Sequence, residues 1–244
     1  MRKYKIFFLH GWLFDSRIWF GFEKLMPKIY QSVLIDLPGY GKNRDNLLSP
    51  VGYCKKIFNN LSSPTIIVGW SFGGILALLG LLKNCTNVEK IILINTHLNL
   101  ASRNKLRSST NSKKIKQLRH NLSTNREETI KKFFFECVKG SPRELNDYKY
   151  LKKNFKLSSM PNNDILADGL NHISDIDYFD DLKHTQKEVL VIYGEKDNLL
   201  NKISFSKFRQ NKNIKLCSLN HIPHIPFISF KKEIYSAIKK FIEN

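Results

Sequence analysis

Apolar residues along this chain gather in two alternating patterns. Tyr4 to Leu9, Ser32 to Leu37, Ile66 to Val68, Lys90 to Asn95, Glu188 to Tyr193 and Ile214 to Leu219 are short, nearly continuous runs, each ending at or beside Gly, Pro, Asn or His. Runs without polar alternation suit strands covered on both faces. Between them lie stretches with helical spacing: Trp19 to Ile29, Gly52 to Leu61, the Leu- and Ala-rich segment after Gly74, and Lys231 to Ile242. Strands alternating with helices predict an α/β fold, a mostly parallel central sheet flanked by helices with right-handed crossovers. No internal repeat is visible.

The alternation stops between about Ala101 and Asn171. This segment is polar, Lys-rich and helical in pattern, and Phe133-Phe134-Phe135, Leu151, Phe155 and Leu157 give it apolar faces to pack. It reads as a helical lid, residues 101–171, inserted into one catalytic domain made of residues 1–100 and 172–244. A chain of 244 residues is long enough to bury a substantial core in such a domain.

The most informative stretch is Thr65 to Gly74, TIIVGWSFGG. An apolar strand meets Gly69-Trp70-Ser71-Phe72-Gly73, and a helical pattern begins at once. G-x-S-x-G between a strand and a helix is the pattern of a nucleophile elbow, with Ser71 on a strained turn; the alternative is an ordinary serine in a Gly-rich turn. Side chains at Gly69 or Gly73 would crowd the turn. A serine hydroxyl needs a base, imidazole suits that task near neutral pH, and a carboxylate fixes the imidazole tautomer. On this fold the order is Ser, acid, His, each after a strand, and Ser71, Asp197 and the pair His221/His224 follow that order. Asp197, in a G-x-x-D turn, competes with a turn-capping role, and spacing alone does not separate His221 from His224. The N–H of Phe72 and an N–H of the loop after the first strand, from Trp12, are the expected oxyanion donors. His10 is assigned to support of that loop, while His97, His120, His172 and His184 lack the positional match.

Charge is the outlying feature of the composition. Lys and Arg number 40 against 21 Asp and Glu, a formal charge of +19. That balance suits an acidic partner, although a chain rich throughout in Lys, Asn, Ile and Phe also fits compositional bias. Nucleic acid is not expected, for want of a recognition motif. The four cysteines, Cys54, Cys85, Cys137 and Cys217, are scattered and read as reduced thiols of a cytoplasmic protein without a metal site. MRKYKIFFLHGW starts basic, but its apolar run is too short for a signal peptide, and no stretch reaches the length of a membrane span.

Taken together, H-G-W near the start, D-L-P-G-Y-G after the second strand, G-W-S-F-G-G, G-E-K-D and H-I-P-F-I-S resemble the α/β-hydrolases. Within them the chain is similar to the BioH family of pimeloyl-[acyl-carrier protein] methyl ester esterases, and the likeness extends into the lid at Leu151-Lys152-Lys153 and Met160 to Leu170. The resemblance implies an α/β-hydrolase fold and a serine carboxylesterase that needs no cofactor. It places the family's H-x-P-F-I-S on His224 to Ser229, which selects His224 over His221. It implies substrate contacts at Trp12, Ser71, Phe72 and His224 and an acyl channel lined from the lid by Phe133, Phe134, Phe135, Glu136 and Cys137. Phe72 stands where Leu is common in the family. The implied partner is an acyl carrier protein, met by basic lid residues; the matching places hold Glu128, Lys132, Leu145 and Lys149, with Arg143 close by. A monomer is expected, with edge strands ahead of the first strand shortened or missing. The rival readings are a general short-chain carboxylesterase and a non-catalytic binding module on the same scaffold.

Overall fold

The computed structural model describes residues 4–98, 108–175, 178–200, 208 and 211–243. Six strands, β1 (Tyr4–Leu9), β2 (Tyr30–Ile35), β3 (Thr65–Trp70), β4 (Val88–Ile94), β5 (Glu188–Gly194) and β6 (Ile214–Leu219), form one sheet in the order β2-β1-β3-β4-β5-β6. Every pairing is parallel. This is the α/β arrangement that the alternating runs predict. Central β3 is buried along its whole length, and Ile67, Val68, Ile91, Ile92 and Leu93 have no exposed surface. A strand walled on both sides has no polar face, which is why these runs read as continuous apolar sequence.

Helix α1 (Pro50–Asn59) starts where Ser49 Oγ accepts the Gly52 N–H and Pro50 takes the first turn. It buries Cys54 and Phe58, one turn apart. Helix α2 (Phe72–Ala77) leaves β3 directly and is buried throughout. Between β4 and β5 stand α3 (Ser108–Thr124), α4 (Arg126–Val138), α5 (Glu144–Asn154), α6 (Asn163–Asp175) and the short α7 (Phe179–Lys183). The chain closes with α8 (Lys231–Ile242), which sets Ile234, Ile238 and Phe241 against the core. Residues 101–107, where the insertion was expected to begin, lie outside the described residues, and α6 continues past Asn171 to Asp175.

Trp19 to Ile29 is a correction. Instead of one helix, a 3₁₀ turn at Ser16–Trp19 ends where the stretch begins and a second, Glu23–Leu25, lies within it. Trp19, Phe22 and Met26 mimic a helical period because they all face the core. Gly21 between them has φ +80, which breaks an α-helical path, and Pro27 closes the segment. Strand β2 also starts earlier than Ser32, since Tyr30 pairs with Tyr4 and the two rings meet at 5.9 Å. It ends before Asp36, whose carboxylate turns to accept the N–H groups of Ser16 and Lys42.

The helices between β4 and β5 are tied to the loops around the sheet by polar contacts. Trp12 Nε1 donates to Leu166 O of α6 at 2.8 Å, and Ile225 N–H donates to Cys137 O of α4 at 2.9 Å. Arg17, paired with Asp15, also donates to Asn154 O. All four cysteines are unpaired. Among the described residues no helix is long and apolar enough to cross a membrane. Among the described residues β2 and β6 are the two edges of the sheet, and most side chains of β2 are half-exposed.

Candidate active site

The chain runs from β1 outward to β2, then returns to place β3 on the other side of β1. Parallel sheets open a crevice at the carboxyl ends of their strands where the winding reverses. The loop after β1 and the turn after β3 therefore face each other across that crevice. Their closeness is visible in the glycines. A Cβ on Gly73 would lie 2.3 Å from Leu9 O and 2.5 Å from His10 O, and one on Gly69 would lie 2.4 Å from Gly73 O. No side chain fits either gap.

Ser71 sits at the tip of this turn with φ 54 and ψ −117. A non-glycine residue there carries about 1–3 kcal/mol of backbone strain, held in place by the packed strand and helix on either side. Its hydroxyl meets His224 Nε2 at 3.1 Å. His224 Nδ1 meets Asp197 Oδ2 at 2.7 Å. The Asp197 carboxylate can only accept, so Nδ1 carries the proton and Nε2 offers its lone pair to the Ser71 hydroxyl. Asp197 Oδ1 is held by the N–H groups of Leu199 and Leu200 at 2.9 and 3.1 Å. The Asp197 side chain is fully buried and that of His224 nearly so, whereas Ser71 keeps some exposure. Such a relay can remove a proton from a hydroxyl as it attacks an electrophile and return it to a leaving group.

The two candidate histidines separate here. His221 is more than half exposed and its Nε2 meets Glu233 Oε2 at 2.6 Å, away from the serine. His10 is fully buried: its Nε2 accepts the Leu37 N–H at 3.0 Å, which leaves Nδ1 to donate to Gly11 O at 2.9 Å. It fastens the loop after β1 to the end of β2 as a neutral ring, and burial pushes its pKa down. Half-buried His97 follows β4; burial lowers its pKa, and the charge of Asp197 only partly counters the drop.

Trp12 follows β1, and Phe72 opens α2, so the Phe72 N–H has no acceptor within its own helix. The Trp12 ring packs edge-on against Phe133 at 4.8 Å. The other members of the Phe133–Cys137 run diverge, because a helix turns about 100° per residue. Phe134 is buried and stacks on Phe14 at 5.3 Å, and Phe135 packs against Tyr148 of α5. Glu136 meets Lys139, and Cys137 is fully buried. Lys132, Lys149 and Arg143 are exposed, with Lys132 paired loosely to Glu128 at 3.8 Å.

Two residues at the site escape a reading of the sequence. Trp70 Nε1 donates to His224 O at 2.8 Å, and Asn95, just past β4, donates to the same carbonyl at 3.0 Å. Their partners lie 154 and 129 residues away in the chain, a separation at which no local pattern exists.

A hydrogen-bonded serine, imidazole and carboxylate at the carboxyl edge of a parallel sheet, the serine on a strand–turn–helix elbow, define an α/β protein built like the serine hydrolases. The chain belongs to the alpha/beta hydrolase family, whose model matches residues 6–225. It is 29% identical to a pimeloyl-[acyl-carrier protein] methyl ester esterase of Wigglesworthia glossinidia brevipalpis, across 96% of this chain and 93% of that one. It is 26% identical to the protein of the same name from Nitrosospira multiformis, across 96% and 92%. Among solved structures, an esterase from Exiguobacterium antarcticum superposes with a TM-score of 0.81 over 100% of this chain and 94% of that one, at 16% identity.

Proposed function

We propose that the chain is a serine carboxylesterase that hydrolyses the methyl ester of pimeloyl-[acyl-carrier protein], releasing methanol and the free acid for biotin synthesis. The observation that carries this reading is the continuous relay from Ser71 Oγ through His224 to Asp197, at 3.1 and 2.7 Å. The full-length similarity to esterases of that name supports the substrate.

Ser71 attacks the ester carbonyl as His224 Nε2 takes its proton. The N–H groups of Trp12 and Phe72 receive the oxyanion. Asp197 holds the Nδ1–H tautomer and stabilises the imidazolium. His224 then protonates the departing methoxide, and the acyl chain stays on Ser71. A water, deprotonated by the same Nε2, releases the carboxylate and restores the serine. A neutral methyl ester can be held against apolar walls, where a carboxylate would resist burial.

In this reading residues 101–171 form a lid over the core of 1–100 and 172–244, with Phe133 meeting the acyl chain beside Trp12. Exposed Lys132, Lys149 and Arg143 face the acidic carrier. The protein works as a cytoplasmic monomer, where its four unpaired thiols stay reduced.

The test is release of methanol from methyl pimeloyl-[acyl-carrier protein], beside a short aryl ester, at low and moderate salt. The expected result is cleavage of the carrier-bound ester that weakens with salt, as attraction between exposed charges is screened, and loss of both activities in Ser71→Ala. Cleavage of the aryl ester alone would leave a general carboxylesterase. An active Ser71→Ala would refute the mechanism.

A further inference from the structure

We propose that Asn95 is a positioning residue for the hydrolysis, fixing the height of the His224 ring above Ser71 by holding the backbone that carries it. The inference rests on the relay described above and concerns a residue that touches neither substrate nor serine.

Asn95 has no exposed surface and lies at φ +43, the left-handed region that Asn tolerates better than most residues. Its own N–H donates to Ile192 O of β5 at 2.9 Å, while the preceding carbonyl, Ile94 O, accepts the Ser71 N–H at 3.0 Å. The backbone here therefore already joins the serine's strand to the acid's strand. The side chain adds the third loop. Its Oδ1 accepts the Gly194 N–H at 2.8 Å, and its Nδ2 donates to Pro223 O at 2.8 Å and His224 O at 3.0 Å. The amide orientation is settled by chemistry, since a backbone N–H needs an acceptor and two carbonyls need donors.

Gly194 is the residue whose carbonyl receives the Asp197 N–H, so it begins the turn that presents the acid. Asn95 thus ties the acid's turn to the base's loop through one planar group. Those two loops touch: a Cβ on Gly194 would meet Ile222 O at 2.1 Å. Trp70 Nε1 supplies the other donor to His224 O, at 2.8 Å. Both hydrogen-bonding positions of that carbonyl are filled from the strands β3 and β4, leaving the loop little freedom to slide. The Ser71–His224 contact, at 3.1 Å, is the longest link of the relay and the one most exposed to any shift.

The experiment uses Asn95→Gly and Asn95→Asp in the full chain. Glycine removes the amide and suits positive φ. Aspartate keeps the shape and the acceptor for Gly194 but sets an oxygen against two carbonyl oxygens. For each, kcat and KM on a p-nitrophenyl ester, the rate of Ser71 labelling by a fluorophosphonate and the thermal melt are recorded, with Ser71→Ala alongside. The expected result is a folded protein with KM little changed and both kcat and labelling rate lowered by about a hundredfold, the cost of a misplaced catalytic group. A folded variant with wild-type kcat overturns the proposal. So does a loss of kcat that matches the fraction unable to label while the remaining molecules react at the normal rate, which marks a structural role alone. Should Asn95→Gly fail to fold, the isosteric Asn95→Asp carries the same comparison. If Ser71→Ala itself retains activity, the relay is not the reacting site, and that outcome is distinct from an inert Asn95.

Discussion

Replacing Asp197 by asparagine keeps the shape of the side chain, removes the charge that steadies the imidazolium and exchanges one oxygen for NH₂, and the hydrogen bonds decide which way the new amide faces. Asp197 Oδ1 accepts two backbone N–H groups, from Leu199 and Leu200, while Oδ2 accepts His224 Nδ1–H at 2.7 Å. In the Asp197→Asn variant one of these positions must hold the NH₂ group. Turning the NH₂ toward the backbone would strand two donors against a third, at about 1–3 kcal/mol each, or about 2–6 kcal/mol in all. The amide therefore keeps its oxygen on the backbone and faces His224 with N–H. A donor there requires Nδ1 to accept, which moves the ring proton to Nε2 and leaves no lone pair for the Ser71 proton.

The loss expected from a wrong tautomer in such a triad is about 10⁴-fold in kcat, or about 5 kcal/mol of transition-state stabilisation. Binding groups are untouched, so KM should stay close to wild type and the thermal melt should be unaltered. The assay is steady-state hydrolysis of a p-nitrophenyl ester, with kcat and KM separated. A fall in kcat smaller than about tenfold, far short of a full tautomer effect, would refute the argument that the backbone donors dictate which way residue 197 faces.

Two further predictions concern the scaffold. Gly73→Ala sets a Cβ 2.3 Å from one backbone oxygen and 2.5 Å from another, and is expected to cost more than about 4 kcal/mol, enough to leave the protein insoluble; a soluble variant with a wild-type melt would show that the loop after β1 yields. Buried His10 has its pKa pushed below 6.5 by desolvation. Between its folded value and 6.5 the unfolded chain binds the proton and the folded chain does not, so stability falls as pH drops below about 6.5, by up to about 1.4 kcal/mol per pH unit. Urea melts across that range should show a shallower slope in His10→Gln than in wild type, and an equal slope would refute His10 as the source.

The central strands were legible because burial on both faces erases polar alternation, leaving runs such as Ile66 to Val68 that read one way only. Ser71 was legible because its elbow needs glycines on both sides at fixed spacing, a local demand that must be written locally. Trp19 to Ile29 misled for the converse reason. Core-facing aromatics set the spacing there, and one glycine at φ +80 decides the backbone path. Residues Phe133 to Cys137 form one stretch in sequence but point to Trp12, to Phe14, to Tyr148 and into the core once wound into α4. The choice between His221 and His224 was closed to spacing, since three residues in a loop carry no direction.

The sequence says least about how the base is held in place. In the sheet order β3-β4-β5-β6, Ser71 follows β3, Asp197 follows β5 and His224 follows β6. His224 must therefore reach back across the ends of β5 and β4 to meet Ser71, folding over the acid's turn as it does so. Within the base's own loop the Ile225 N–H anchors it to Cys137 O of α4, but the loop departs from the far strand. Restraint on the carbonyl of His224 itself comes from the strands it crosses toward: Trp70 ends β3, and Asn95 follows β4, the strand between Ser71 and Asp197. A relay spread over three strands leaves the end of the fourth as the place from which one short amide reaches both the acid's turn and the base's loop. An asparagine there looks like any strand-ending residue in the sequence. Its importance arises only when the sheet has assembled and brought Gly194, Pro223 and His224 within 3.0 Å of it.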